Sequence, residues 1–122
     1  MVRLPIIIAV ALLMSVASVP AASAHAFLDS ATPAVGSAIH GPPAQIVLHF
    51  SEELEPAFST IRVEDANGRR VDAGDVHLDP ANASMLEVSL GKLPPGRYRV
   101  TWRVVSIDTH VTEGAFTFDV LP

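Results

Sequence analysis

Arg97-Tyr98-Arg99-Val100-Thr101-Trp102-Arg103-Val104-Val105-Ser106 decides the fold. Tyr98, Val100, Trp102 and Val104 fall on one side and Arg97, Arg99, Thr101 and Arg103 on the other. That is the period of a strand with one face in a core and one in water. Leu93-Pro94-Pro95-Gly96 is the turn that leads into it. Outward from this strand the pattern repeats. Gln45–Ser51 sets Ile46, Leu48 and Phe50 against Val47, His49 and Ser51, and Phe58–Asp65 sets Ile61 and Val63 against Arg62 and Glu64. Ser84–Leu90 sets Leu86, Val88 and Leu90 against Glu87 and Ser89, and Gly114–Val120 turns Phe116, Phe118 and Val120 inward. Asn67-Gly68 is a hairpin turn signal with Arg69–Asp72 as its return strand. A short first strand near Ala26–Leu28 precedes a loop rich in Pro and Gly that runs to residue 44, and Val76–Leu78 is a further short segment. About seven short alternating strands without a helical period predict an all-β protein, a β-sandwich. The aromatic residues fall almost entirely on inward phases and read as core.

The chain has 122 residues and no cysteine. Residues 1–24 read as a signal peptide: Arg3 is the positive n-region, Leu4 to Ala17 the apolar h-region, and Ala22-Ser23-Ala24 the cleavage site. The apolar run is short and is broken by Ser18 and Pro20, which predicts an exported protein with no stable membrane insertion of the mature domain. A retained anchor is the alternative. Residues 25–122 form one small domain with one core. Only Arg3 of the 8 basic residues leaves with the signal, so the mature domain sets 7 against 13 acidic residues, a formal charge of −6. That balance argues against nucleic acid, which wants a basic face, and suits cations. Without cysteine there is no disulfide and no thiolate metal site.

Cleavage after Ala24 makes His25 the first residue. An N-terminal His offers its imidazole Nδ1 and a free α-amine, which together close a six-membered chelate ring. The amine has a reference pKa of about 7.7–8.0, so a metal displaces its proton at modest cost near neutral pH. The complementary group is Asp108-Thr109-His110. On an extended backbone, residues i and i+2 point to the same side, so one metal can touch both Asp108 and His110. Three nitrogens and one carboxylate oxygen make a tetragonal equatorial set suited to Cu(II). Frayed termini are common, and the set requires the N-terminus to lie beside the loop between the last two strands. Asp75-Val76-His77-Leu78-Asp79 offers a second, weaker constellation with one nitrogen, more simply a solvated acidic edge. His40 and His49 stand alone, and Glu52 and Glu53 read as a solvated strand end. No G-x-S-x-G, H-E-x-x-H or Gly-rich phosphate loop is present.

Three stretches together resemble one family. They are His25-Ala-Phe-Leu-Asp-Ser-Ala-Thr-Pro, then Ile46-Val-Leu-His-Phe-Ser-Glu-Glu-Leu, then Trp102-Arg-Val-Val-Ser-Ile-Asp-Thr-His with the downstream Gly114-Ala-Phe-Thr-Phe. The whole mature chain is similar to the CopC family of small exported copper-binding proteins. The resemblance implies a Greek-key β-sandwich akin to immunoglobulin and cupredoxin domains. It implies one Cu(II) held by His25, Asp108 and His110, with Glu52 matching an acidic residue near the copper, axial or just beyond the ligands. It also implies a role in copper resistance or homeostasis in the periplasm, or outside a Gram-positive cell, with a CopD-type membrane copper-import protein as partner. Some members carry a Met-rich Cu(I) site. Met85 is the only methionine outside residues 1–24, so no thioether site is expected. The expectation is a binding protein, not an enzyme. A copper monooxygenase of the histidine-brace kind and a metal-free interaction module are the alternatives.

Overall fold

The computed structural model describes residues 25–122, so the signal peptide expected at 1–24 lies outside the described residues. The chain forms β1 (Leu28–Thr32), β2 (Ala38–His40), β3 (Gln45–Phe50), β4 (Thr60–Glu64), β5 (His77–Asp79), β6 (Asn82–Ser89), β7 (Gly96–Val105) and β8 (Val111–Leu121), with one 3-10 turn at Pro56–Phe58. Two four-stranded sheets, ordered β1-β3-β6-β5 and β2-β8-β7-β4, face each other as a sandwich. The chain crosses between them at every connection except β5–β6 and β7–β8, the Greek-key way of covering both inner faces.

The alternation read from the sequence sets the core. Ile46, Leu48, Phe50, Leu86 and Val88 of one sheet meet Ile61, Val63, Val100, Trp102, Val104 and Phe118 of the other. Phe50 and Trp102 pack edge to face with centroids 5.1 Å apart. Trp102 is paired with Gly114 across β7 and β8. A methyl group at Gly114 would stand 2.7 Å from Trp102 Cε2, so the indole occupies the space a side chain would need. At the start of β7, Tyr98 donates its hydroxyl to the Pro94 carbonyl at 2.5 Å and fixes the Pro-Pro-Gly corner.

Four expectations need correction. The first strand begins at Leu28 and not at Ala26; residues 25–27 are held by the Ser51 and Thr112 hydroxyls and by one backbone bond, from Ser51 N–H to the Phe27 carbonyl. Three residues inside the expected loop form β2, parallel to β8 from Ala38↔Asp119 to His40↔Leu121, and bring the strand count to eight. The return strand at Arg69–Asp72 reduces to isolated bridges, Glu64↔Arg70 and Asp72↔Leu90. There the Asp72 carboxylate takes the Val63 N–H at 2.8 Å, in place of a ladder partner. Finally, five aromatic residues are buried, but Phe27 and Phe58 are exposed.

Asp72 shows what holds the irregular side of the domain. Its side chain has no exposure, and it accepts from Val63 N at 2.8 Å, Gly74 N at 2.9 Å and Arg70 Nε at 3.0 Å. Burial pushes its carboxyl up, but the Arg70 guanidinium and the two N–H donors together outweigh burial and hold it below the usual range. A depressed carboxyl stabilises the fold fully above its unfolded value of about 3.9, and that stabilisation is lost as pH falls through the lower folded value. Asp72→Ala should therefore cost about 2–3 kcal/mol in urea unfolding at neutral pH. The gap to the parent should narrow as the pH is taken below the unfolded value.

Candidate metal centre

The candidate ligands come from two segments tied down at one end of the sandwich. The first is the segment of residues 25–27. Ala26 is wholly buried, and its carbonyl accepts from the Thr112 hydroxyl at 2.7 Å. Phe27 donates its N–H to Ser51 Oγ at 2.8 Å and accepts from the Ser51 N–H at 2.8 Å. Ser51 Oγ is also 3.4 Å from the His25 carbonyl. A small buried side chain with its flanking peptides bonded on both sides holds the tripeptide to β3 and β8, and His25 projects exposed beyond it.

The second segment is the turn between β7 and β8. Ser106 donates its N–H to the His110 carbonyl at 2.9 Å, and Thr109 donates to the Ser106 carbonyl at 2.8 Å. The turn closes with Thr109 in the left-handed region, φ 73°, a conformation that costs a β-branched residue energy and persists only where neighbours over-determine it. Ser106 is buried at 1% exposure, and its hydroxyl makes a short hydrogen bond to Asp108 Oδ1. That bond is the main reason the Asp108 carboxyl is held below its usual range; slight burial opposes it and His110 reinforces it. His110 Nδ1 stands 3.2 Å from Asp108 Oδ1.

The two segments meet. The His25 and His110 rings approach to 4.8 Å between centroids at 68°, with Asp108 alongside. The structure thus brings His25, Asp108 and His110 to one place, though not by the extended backbone expected for Asp108-Thr109-His110. A tight turn with one left-handed residue puts the two side chains together. As they stand, no three His, Asp or Glu side chains among the described residues converge closely enough to grip an ion. His110 Nδ1 faces Asp108, which leaves Nε2 as its outward nitrogen. The donors on offer are imidazole nitrogen and carboxylate oxygen without sulfur, a chemistry that fits Cu(II).

Residues 28–121 match the family model of the CopC domain. The chain belongs to the CopC family. It is 35% identical over 98 residues to the copper transport protein CutJ of Bacillus subtilis, covering 80% of this chain but only 18% of CutJ. Among solved structures it is similar to CopC from Methylosinus trichosporium OB3b, with a TM-score of 0.75 and 32% identity over 80% of this chain and 95% of that one. It is similar also to PcoC, a methionine rich copper resistance protein from Escherichia coli, with a TM-score of 0.69 and 35% identity over 79% and 98%.

The remaining histidines of this CopC domain and Glu52 stand apart from the three candidate ligands. Glu52 follows Ser51 at the same end and is exposed; among the described contacts its carboxylate pairs with none of the three candidate ligands. His49 is half-buried on β3, with Met85 of β6 as its register partner. His40 is exposed on β2, paired with Leu121. His77 Nε2 lies 3.3 Å from Glu87, on the outer face of the other sheet. There desolvation first, then Asp79, pushes the Glu87 carboxyl up while His77 opposes the shift. The hydroxyls of Ser51, Ser106 and Thr112 were not legible as positioning groups, since a serine or threonine at a strand end carries no pattern of its own.

Ser106→Ala removes the main group that lowers the Asp108 carboxyl. Carbon-detected NMR titration should find Asp108 titrating at higher pH than in the parent. A titration unchanged from the parent would show that Ser106 does not set it.

Proposed function

We propose that the mature domain, exported and cut after Ala24, is a Cu(II)-binding protein of copper resistance and homeostasis. It sequesters the ion or hands it to a membrane copper-import partner of the CopD type. The observation that carries this is the meeting of the His25 and His110 rings, 4.8 Å apart, with Asp108 3.2 Å from His110. His25 supplies its imidazole and, once it is the first residue, its α-amine. His110 supplies the third nitrogen, and Asp108 an oxygen whose depressed carboxyl keeps it ionised and able to offset the charge of the ion. Glu52, exposed next to the Ser51 anchor, is available as an axial or outlying oxygen.

A set dominated by nitrogen with one carboxylate favours Cu(II) over Cu(I), which prefers thioether and thiolate. Met85, the one thioether among the described residues, lies on β6 within a strand rather than in the turn that carries Asp108 and His110. An equatorial set filled by the protein leaves little room for a reacting ligand, so the role is holding and transfer rather than catalysis. The names of the relatives support copper handling. The extent of CutJ supports delivery: there a domain like this one is 18% of a much longer copper transport protein. Among the described residues no helix is long and apolar enough to cross a membrane.

A competition titration with a chromophoric Cu(II) chelator tests the assignment. Protein beginning at His25 should bind one ion. His110→Ala should weaken binding about 100-fold or more, about 2.7 kcal/mol, and His77→Ala should leave it unchanged. The reverse ranking would move the site to the outer face of the β1-β3-β6-β5 sheet.

A further inference from the structure

Five large hydrophobic side chains are exposed among the described residues: Phe27, Val35, Phe58, Ile107 and Val111, at 43–65% exposure. Four of them share the end that carries His25 and His110. Phe27 stands 6.4 Å from the His25 ring, and Ile107 and Val111 immediately flank the Asp108–His110 segment. Phe58 is brought in by the connection after β3. Ile107 donates to the Glu53 carbonyl at 3.1 Å, Glu55 donates to the Val105 carbonyl at 2.8 Å, and Phe58 donates to the Glu55 carbonyl at 3.2 Å. These bonds stitch the two connections into one rim. Only Val35 lies away, in the turn before β2, whose strand runs beside the C-terminal end of β8.

The charges around this apolar collar have one sign. Asp29, Glu52, Glu53 and Asp108 are exposed and Glu55 half-buried. Arg103, the basic residue nearest this end on β7, is committed to Glu113 at 3.2 Å. Arg69, Arg70, Lys92 and Arg97 belong to the turns and strand starts of the opposite end. Grouped exposed apolar residues mark contact surfaces, and an apolar centre with a charged rim is how such surfaces are built.

We propose that this end is the docking face for a protein whose contact surface is apolar at its centre and ringed by Lys and Arg. The inference rests on the copper reading above in making that protein the receiver of the ion. The charge pattern selects the occupant. A bilayer surface with anionic lipids would meet a like-charged rim, and a second copy would set carboxylate against carboxylate. A basic rim is attracted, and it brings the partner directly over His25 and His110, so the ion changes hands without crossing bulk water.

The test places a photo-crosslinking benzophenone amino acid at Phe58, at Ile107 and, as a control, at Val35 in the full chain expressed in its native host. The crosslinked protein is identified by mass spectrometry, purified, and its affinity for the mature domain measured. The proposal expects one protein crosslinked from Phe58 and Ile107 but not from Val35. Its purified form should bind in a salt-sensitive way, and Glu53→Lys with Glu55→Lys should weaken it about tenfold or more. Crosslinks to lipid, to another copy or equally from Val35 would overturn it, as would the absence of a crosslink, sedimentation with phosphatidylglycerol vesicles, or binding indifferent to the two lysines. Cu(II) titration of the same double variant separates the two ideas. It should match the parent if only docking is affected, and a parent that binds no copper would sink the copper reading whatever the crosslinks show.

Discussion

The ten-rung pairing of β7 with β8, from Gly96↔Val120 to Val105↔Val111, is the constraint on which the remaining architecture depends. It supplies most of one core face through Tyr98, Val100, Trp102, Val104, Phe116, Phe118 and Val120. Its register is set by size as well as by alternation. Trp102 lies where only Gly114 leaves room, and a slip of one residue would turn the aromatic residues of the slipped strand to water. The other strands attach to this ribbon: β4 on the free side of β7, β2 along the end of β8, and the second sheet over its inner face.

The same pairing fixes where chemistry can occur. Its last rung leaves five residues, 106–110, to turn the chain. That turn is closed by Ser106 and Thr109 so tightly that Asp108 and His110 must face each other. Thr112, two residues past the turn, reaches back to the Ala26 carbonyl, so β8 also holds residues 25–27. The arrangement is economical: hydroxyl groups at three strand ends and one buried alanine bring the first described residue beside the last turn. The sandwich supplies rigidity and the rim supplies donors. The candidate donors stand at an exposed end, which also carries Phe27, Phe58 and Ile107.

Much of this was legible in the sequence, for identifiable reasons. The long strands were readable because one face of each meets the core, and Ile46-Val47-Leu48-His49-Phe50 alternates as strictly in space as in writing. β2 was not readable: three residues carry no period, and its partner is the parallel edge of β8 rather than a neighbour in sequence. The Arg69–Asp72 segment looked like a strand because a turn signal preceded it, whereas only two backbone bonds, Asp65 N–H to Arg69 and Val71 N–H to Val63, join it to residues 63–65 and the Asp72 carboxylate takes the Val63 N–H. The candidate donors were visible as residue types and spacing. Their proximity was not, since it depends on Ser51 and Thr112, and the backbone at Thr109 is left-handed rather than extended. The aromatic residues were read as core from their inward phases, but Phe27 and Phe58 lie outside the regular strands and are exposed.

The central claim is that His25 binds copper through its own α-amine as well as its ring. Electron paramagnetic resonance of the Cu(II) form, comparing protein that begins at His25 with protein carrying one additional N-terminal glycine, tests it most directly. The account predicts a nitrogen-rich tetragonal spectrum with one-to-one binding for the first, and a reshaped spectrum with weakened binding for the second. Identical spectra and affinities would contradict it, because the glycine converts that amine into an amide and leaves every side chain in place.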